Sequence, residues 1–305
     1  MWENNKTSNY EKFIPENEEI RSGFKVTSNR KKVWNIQLWL LEELKRICEK
    51  YSIKYYADWW TLIWAVRHKW YIPRDDDIDI VMFRKDYEKF LEVLPKELPN
   101  YIELWDYYGQ FSKLINKRTA ALYDDYIWGI RIDIFPIDYA SKFLIVNRIK
   151  VKILNFLVLI LYVKKAPRFT GKAKKWKKVF AHLCKYIFKK IDYAKIYQMR
   201  EKISKTTLFK WKNIYTAAIP YRFYPEDIYD KSHDCKFENS TICIPDGYDV
   251  YLKIAYWDYM TPVIFQWWHN CRYSVDKPYK DIIKLFDKSK SNEDNYKDCK
   301  CLFLL

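Results

Sequence analysis

The stretch that decides the fold is Ile72-Pro73-Arg74-Asp75-Asp76-Asp77-Ile78-Asp79-Ile80-Val81-Met82, which places four carboxylates in five positions beside an apolar run. Carboxylates this close repel one another unless a cation lies among them, and a hard divalent cation prefers oxygen ligands. In an extended strand, Asp75, Asp77 and Asp79 would face one side and Asp76 the other. The apolar run leads toward the interior, where an unpaired carboxylate is costly. The stretch therefore predicts a metal site at the mouth of a buried strand, with a solvated acidic loop as the weaker alternative.

Composition and charge favour a cytoplasmic protein with an anionic partner. The 305 residues carry a net charge of +16, and the basic residues concentrate between Lys142 and Lys212. Membrane headgroups, nucleotide phosphates or nucleic acid would complement this charge, but no nucleic-acid motif accompanies it, so nucleic acid is not expected. Residues 1–30 lack the apolar core of a signal peptide. The seven scattered cysteines indicate a reduced, cytoplasmic setting.

Hydrophobic periodicity predicts a mixed α/β unit in the first 140 residues. The predicted helices cover residues 33–51, residues 84–94 (closed by Pro95 and Pro99) and a segment that begins near Leu62. The predicted strands cover residues 53–57, 78–83, 129–135 (ended by Pro136) and two edge strands, 101–105 and 112–115. Short strands and turns are expected over residues 221–262, and a loose polar tail over residues 287–300.

The segment that follows residue 140 is basic and rich in Leu, Ile and Val. Its longest uncharged run, residues 153–163, has eleven residues, whereas a bilayer-spanning helix needs about 20. We therefore expect a buried helix. The alternative is an interfacial helix in peripheral contact with an anionic membrane, because residues 164–190 add many cations with aromatic residues among them.

Three acidic motifs occur in an order that resembles the nucleotidyltransferase fold. The turn Asp58-Trp59-Trp60-Thr61 is followed by the pair Asp77 and Asp79, and then by a single acid, Asp133, on another apolar strand. In that fold such carboxylates hold one or two Mg²⁺ ions against nucleotide phosphates, and the ions polarise the attacking and leaving oxygens. The sequence therefore predicts an α/β (α+β) fold with a nucleotidyltransferase-like mixed sheet core flanked by helices.

The residues around these acids closely resemble the LicD family of phosphotransferases, which share their core with the fukutin-related proteins. The resemblance is carried by Tyr55–Phe90, Arg131–Asp138 and Phe237–Pro262, and it extends over residues 28–270. It implies transfer of phosphocholine or a polyol phosphate from a CDP-linked donor, dependent on Mg²⁺ or Mn²⁺. The implied acceptor is a hydroxyl of a cell-surface glycan, such as lipopolysaccharide or teichoic acid, or of its lipid-linked precursor.

The resemblance also implies roles for individual residues. The metal ligands would be Asp75, Asp77, Asp79 and Asp133, and the catalytic carboxylates Asp77, Asp79 and Asp133. Asp133 is the favoured base for the acceptor hydroxyl because it stands apart from the acidic run. The implied substrate-binding residues are Trp60, Thr61, Arg67, His68 and Lys69, with a structural hydrogen bond as an equal alternative for His68.

These patterns together predict five segments. They are a polar N-terminal segment (1–30), the nucleotidyltransferase-like catalytic core (31–140), a basic helical insertion (141–215), the C-terminal part of the catalytic domain (216–275) and a polar tail (276–305).

The chain departs from the family pattern at glycine positions. The family has glycine where this chain has tryptophan at positions 60, 64, 70 and 257, often also at 59, and it has tryptophan at Arg74. Glycine permits a positive φ and a close approach of backbone N–H groups to phosphate, which tryptophan does not. The chain has only five glycines but fourteen tryptophans, including the turn-like pair Trp267-Trp268. We therefore hypothesise that the source translates UGA as glycine, and that these tryptophans arose because UGA was read as tryptophan.

Two rival functions share the acidic motifs. One is a nucleotidyltransferase that moves a nucleotide and releases pyrophosphate. The other is a catalytically silent binding protein of the same fold, which is favoured if the tryptophans are genuine, because several indoles would fill the donor pocket.

Overall fold

The computed structural model describes residues 13–73, 75–107, 109–123, 126–165, 175–216, 222–262 and 272–284. Arg74, the pair Trp267-Trp268 and the predicted tail over residues 287–300 lie outside these ranges.

The first half of the chain alternates strands with three helices. A π-helical turn, Trp64–His68, continues the second helix. The elements are β1 (Glu19–Arg21), β2 (Phe24–Val26), α1 (Ser28–Lys50), β3 (Tyr56–Ala57), α2 (Trp59–Ile63), β4 (Asp79–Phe83), α3 (Arg84–Glu97), β5 (Ile102–Asp106), β6 (Ser112–Asn116), β7 (Ala120–Tyr123), β8 (Tyr126–Trp128) and β9 (Arg131–Ser141).

The second half begins with helices and ends with a hairpin and further short elements. A 3₁₀ turn, Glu226–Tyr229, precedes the hairpin. The elements are α4 (Leu144–Lys165), α5 (Lys175–Ile187), α6 (Tyr193–Lys205), β10 (Lys210–Thr216), β11 (Tyr224–Pro225), β12 (Ser232–Phe237), β13 (Ser240–Pro245), α7 (Tyr248–Tyr256), β14 (Arg272–Ser274) and α8 (Tyr279–Lys284).

A seven-stranded mixed sheet forms the centre of the structure and confirms the predicted α+β class. Its strands run in the order β11-β10-β9-β4-β3, and β6 also pairs with β9 and carries β5 beyond it. The pair β4–β9 is parallel, whereas the other pairs in the sheet are antiparallel. Because β9 is the longest strand, it organises the sheet, and its neighbours meet it at different positions.

The third predicted strand is longer than expected, because Pro136 does not end it. On one side, β6 pairs with β9 as far as Ile134, and β10 pairs from Ile137 onward. Pro136 therefore falls in the gap between these two neighbours, where its missing N–H breaks no ladder on that side. This gap lets β9 run on to Ser141 and lead directly into α4.

Several predicted boundaries were wrong in detail. Pro95 lies inside the last turn of α3, which ends at Glu97. Strand β6 is interior, because it pairs with both β5 and β9, so only β5 is an edge strand of that pair. The first predicted strand is reduced to β3, and α7 forms where only strands and turns were expected.

Helix α1 is the central buried helix, as its predicted apolar spacing indicated. Its described side chains are buried on almost every side, including Trp34, Leu38 and Leu41. The core encloses the middle of the helix, residues 33–41, whereas charged residues near its C-terminal end, such as Arg46 and Glu49, are exposed. Two buried polar residues of this middle stretch, Asn35 and Gln37, donate hydrogen bonds to backbone carbonyls of other segments.

Helices α4, α5 and α6 form a layer that is attached to the end of β9. Leu157, Ile160 and Leu161 of α4 pack against Ile196 of α6. Arg84 of α3 and Ser204 of α6 both donate hydrogen bonds to the Asp138 carboxylate of β9, at 2.6 and 2.9 Å. The chain then returns to the central sheet as β10. Within the described residues, no helix has both the length and the apolar character needed to cross a bilayer.

Candidate active site

Three carboxylates converge at the start of β4. Asp79 is the first residue of β4 and is the register partner of Asp133 on the parallel strand β9. The Asp133 N–H donates to the Ile78 carbonyl at 2.8 Å, which fixes this register. One carboxylate oxygen from each of Asp77, Asp79 and Asp133 lies within 4.8 Å of the others. The structure therefore brings these three predicted residues together.

The acidic run before β4 is an anchored loop rather than an extended strand. Helix α1 holds it through Trp34 Nε1, which donates to the Asp75 carbonyl at 3.2 Å, and Gln37 Nε2, which donates to the Asp76 carbonyl at 2.5 Å. Carboxylate oxygens of Asp75, Asp76 and Asp77 also lie within 4.8 Å of one another. The predicted separation of Asp76 from Asp75 and Asp77 was therefore wrong, because the strand begins only at Asp79.

Asp76 is compensated from outside the cluster. The Tyr273 hydroxyl of β14 donates a hydrogen bond to its carboxylate, and the Arg30 guanidinium lies 3.6 Å from the same oxygen. Asp75 belongs to this second group rather than to the group of Asp79 and Asp133. Asp77 is the residue that the two groups share.

Burial and mutual repulsion shift the protonation of the cluster. Burial, followed by the charge of Asp77, raises the pKa of Asp75 and of Asp79 well above the usual value. Among the described residues, no salt bridge reaches Asp77 or Asp79. Hard carboxylate oxygens that lie this close together are the donor set that a small divalent cation would neutralise. Asp77, Asp79 and Asp133 thus fit such an ion by their chemistry and spacing.

Asp133 differs from the other two carboxylates because two cations already contact it. Lys113 Nζ lies 2.9 and 3.0 Å from its two oxygens, and Arg131 Nε lies 3.0 Å from one of them. Although burial raises the pKa of Asp133, the charges of Lys113 and Arg131 outweigh burial and lower it below the usual value. These contacts hold Asp133 ionised and fix its orientation.

Lys113 is a site residue that sequence reasoning missed. It is the register partner of Asp133 on β6, and its ammonium lies 4.5 Å from the centre of the Phe111 ring and 5.2 Å from that of Tyr107. Burial, followed by repulsion from Arg131, lowers the pKa of Lys113 to about 8. A single charged residue within the predicted strand 112–115 was the available signal.

The turn that precedes α2 lies directly against the carboxylates. The Asp58 N–H donates to the Asp79 carbonyl at 3.0 Å, and the Asp79 N–H donates to Thr61 Oγ1 at 2.9 Å. Asp58 is fully buried, and burial raises its pKa to about 7 although the Tyr251 hydroxyl and the Trp59 N–H oppose the shift. Thr61 is buried and Trp60 is half-buried. Two predicted substrate residues therefore border the site, with Thr61 turned to the backbone of Asp79.

Two of the questioned tryptophans adopt backbone conformations that favour glycine. Trp59 has a φ of +46°, and Trp257 has a φ of +64° with a ψ of −96°. A β-carbon is disfavoured in this region, and bulky residues there are outliers. Trp64 has an ordinary helical φ of −64° and is buried against Tyr71, with ring centres 5.5 Å apart. The backbone therefore supports the glycine hypothesis at positions 59 and 257.

The predicted basic stretch makes contacts with the C-terminal part of the chain. Arg67 Nη1 donates to the Tyr259 carbonyl at 2.5 Å, and Arg67 Nε donates to His68 Nε2 at 2.8 Å. Lys69 Nζ lies 3.0 Å from Cys235 Sγ of β12. His68 thus has the structural hydrogen bond that was its alternative role. Phosphate contact by these three residues stays a prediction.

Comparison with known proteins shows what the region around the carboxylates is similar to. Residues 52–152 match the family described as LicD/FKTN/FKRP, nucleotidyltransferase domain. The lipopolysaccharide cholinephosphotransferase LicD of Haemophilus influenzae is 37% identical over 87 residues, which are 26% of this chain and 33% of that protein. An uncharacterised protein of Rickettsia typhi is 39% identical over 57 residues, 19% of this chain and 18% of that protein.

The matched region includes the whole carboxylate cluster and Lys113. The predicted resemblance to the LicD family is therefore confirmed over residues 52–152. The aligned stretch spans about a third of the Haemophilus influenzae protein. The resemblance of Phe237–Pro262 lies beyond the matched residues and stays a prediction.

Proposed function

We propose that this protein transfers a phospho-alcohol from a CDP-linked donor to a hydroxyl of a glycan. The observation that carries the proposal is the convergence of Asp77, Asp79 and Asp133 inside a LicD-type nucleotidyltransferase domain. Phosphocholine is the favoured group, and lipopolysaccharide or its lipid-linked precursor the favoured acceptor, because the Haemophilus influenzae relative is named for that reaction. The cytoplasmic location stays a prediction.

In the proposed reaction the acceptor oxygen attacks the β-phosphorus of the donor. A bond forms between that oxygen and the phosphorus, the acceptor hydroxyl gives up its proton to solvent, the bond to the bridging oxygen breaks, and CMP leaves. Asp77, Asp79 and Asp133 would hold Mg²⁺ or Mn²⁺, which supplies charge neutralisation of the phosphates. Asp75 lies close to Asp77 and would add negative charge beside the bound ion.

We assign Asp133 to metal binding rather than to deprotonation of the acceptor. The sequence favoured it as the base, but Lys113 and Arg131 lower its pKa. A carboxylate with a lowered pKa is a weaker base. Lys113 and Arg131 are therefore positioning residues, which keep the Asp133 oxygens directed toward Asp77 and Asp79.

A silent binding protein is the second candidate, and the turn beside Asp79 favours it. Trp59 and Trp60 occupy the turn that the family builds with glycine, and the Trp59 ring packs 5.1 Å from that of Phe135 on β9. Bulky side chains here would restrict approach of a donor phosphate to the carboxylates. Restoration of glycine at positions 59 and 60 would remove this restriction.

The products of a single incubation distinguish these functions. Protein, CDP-choline, Mg²⁺ and choline-free lipopolysaccharide should yield CMP and lipopolysaccharide-linked phosphocholine in equal amounts, and Asp77→Asn should abolish both. Release of pyrophosphate from CTP with a phospho-alcohol would instead identify a nucleotidyltransferase. Binding of CDP-choline without any product, in both the chain that carries the tryptophans and its glycine-restored form, would identify a silent protein.

A further inference from the structure

The charge of this protein is concentrated in a single segment. Residues 142–191 contain fifteen lysines and arginines and no aspartate or glutamate, which accounts for nearly all of the net charge of +16. The segment comprises α4, α5 and their connections. A segment with one sign of charge attracts an anionic partner and repels a cationic one.

The same segment exposes two stripes of apolar side chains. On α4, Ile145, Ile149, Ile153 and Phe156 follow helical spacing along one face and are 62, 52, 41 and 40% exposed. Other side chains of α4, such as Leu157 and Leu161, are buried against α6. The exposed stripe therefore takes no part in the packing of α4 against α6.

Helix α5 has a matching stripe. Val179, Leu183, Tyr186 and Ile187 recur at intervals of three and four residues, and their side chains are all more than half exposed. The Phe156 and Phe188 rings lie 5.9 Å apart in a T-shaped arrangement, which joins the two helices beside the stripes. Exposed apolar patches of this kind mark interaction surfaces in soluble proteins.

Cations lie beside these apolar side chains. Arg148 and Lys152 are exposed next to Ile149 and Ile153 on α4, and Lys185 and Lys189 are exposed near Tyr186 and Ile187. Apolar residues that enter the headgroup region, flanked by cations that meet anionic lipid, are typical of interfacial helices. The helices of the described chain do not span a bilayer.

We infer that α4 and α5 form a docking surface for an anionic lipid bilayer. A second copy of the chain is disfavoured, because two such surfaces would bring like charges together. Nucleic acid is disfavoured because most of the stripe residues, such as Ile145, Ile149 and Val179, are aliphatic and do not stack on bases. An anionic bilayer is complementary to both the charges and the aliphatic stripes.

Because α4 is attached to the central sheet, docking of α4 on a bilayer would also set the position of the carboxylate cluster. Asn147 of α4 exchanges two hydrogen bonds of 2.8 Å with the backbone of Ser141, where β9 ends. Tyr107 packs against the α4–α6 cluster, and its ring centre is 5.2 Å from the Lys113 ammonium. A docked α4 would therefore hold the carboxylate cluster in a fixed orientation at the lipid surface.

Vesicle sedimentation tests the inference. The full chain should bind vesicles of phosphatidylcholine with phosphatidylglycerol at least tenfold more tightly than vesicles of phosphatidylcholine alone, and added salt should reduce the difference. The pairs Ile149→Ser/Ile153→Ser and Arg148→Gln/Lys152→Gln should each weaken binding about tenfold. Val250→Ser/Ile254→Ser is the matched control, because these exposed residues of α7 lie outside the segment, and its binding should not change.

Three results would overturn the inference. One is equal binding to both kinds of vesicle, and another is unchanged binding by both pairs of variants. The third is a preference for RNA over anionic vesicles that the isoleucine variants leave intact, which would assign the surface to nucleic acid. Because all four substituted side chains are exposed, circular dichroism melting should show the fold unchanged.

Discussion

The carboxylate cluster and the turn Asp58–Thr61 meet at Asp79, the first residue of β4. The residues of the cluster suit their backbone positions, whereas Trp59 of the turn does not. The carboxylates follow from strand register, since Asp79 and Asp133 are partners on parallel strands. Two hydrogen bonds hold the turn to Asp79, one from the Asp58 N–H to the Asp79 carbonyl and one from the Asp79 N–H to the Thr61 hydroxyl. Within the turn, however, Trp59 adopts a left-handed φ. The fold therefore places the acids, whereas the turn keeps a backbone conformation that favours glycine.

The largest expected effect comes from removal of a cluster carboxylate. Asp79→Asn should reduce CMP formation about a thousandfold, because a metal ligand supplies several kcal/mol of transition-state stabilisation. Asp234→Asn, which changes an exposed aspartate of β12, is the control and should keep full activity. Equal activity of Asp79→Asn and the natural chain would break the assignment of the cluster.

The second largest effect is the loss of stability on removal of Lys113, one of the two cations that contact Asp133. Lys113→Ala should destabilise the protein by about 3 kcal/mol in urea unfolding, because it leaves a buried carboxylate with one fewer partner. Lys280→Ala is the control, since that lysine pairs with Glu103 at 3.0 Å but is 57% exposed, and it should cost less than about 1 kcal/mol. Similar values for both variants would show that the Lys113–Asp133 pair is not buried as described.

The turn should make stability depend on pH. The folded-state pKa of Asp58 is raised to about 7 from 3.8, so between pH 4 and 7 the folded state holds a proton that the unfolded state has lost. Stability should therefore fall as the pH rises through this window, and Asp58→Asn should reduce that slope by up to about 1.4 kcal/mol per pH unit. Urea unfolding at pH 5 and pH 7 measures it, and an identical slope in Asp58→Asn would contradict the burial of this carboxyl.

The smallest effect isolates the backbone conformation. Trp257 is 88% exposed, so its replacement removes little packing. Trp257→Gly should stabilise the protein by about 1 kcal/mol, because glycine tolerates the positive φ, whereas Trp257→Ala keeps a β-carbon and should not. Equal stabilities of these two variants in urea would sink the argument from φ. Trp34→Gly is the opposite control and should be strongly destabilising, because Trp34 is buried.

The gene decides the origin of these tryptophans. UGA codons at positions 59 and 257 would establish the glycine hypothesis there, and UGG codons would refute it. Trp64 sharpens the comparison further, because it is fully buried and its replacement by glycine should cost about 3 kcal/mol or more. A neutral Trp64→Gly would show that the core is built around a smaller residue at this position too.

Much of the sheet and the site could be predicted from sequence, for a physical reason. The long apolar periodicity of α1 and the apolar strands around Asp79 and Asp133 are local signals, and the acids follow from their place on those strands. The contact between Lys113 and Asp133 could not be predicted, because Lys113 reaches Asp133 only through the pairing of β6 with β9. Helix α7 was missed because it is only nine residues long.

Binding of Mn²⁺ tests the central claim most directly. Electron paramagnetic resonance measures free Mn²⁺, so titration of the protein gives the number and affinity of its sites without any need for turnover. We predict that the natural chain and Asp234→Asn bind Mn²⁺ equally, and that Asp77→Asn and Asp79→Asn each lose the site. Unchanged Mn²⁺ binding by Asp77→Asn and Asp79→Asn would contradict the account.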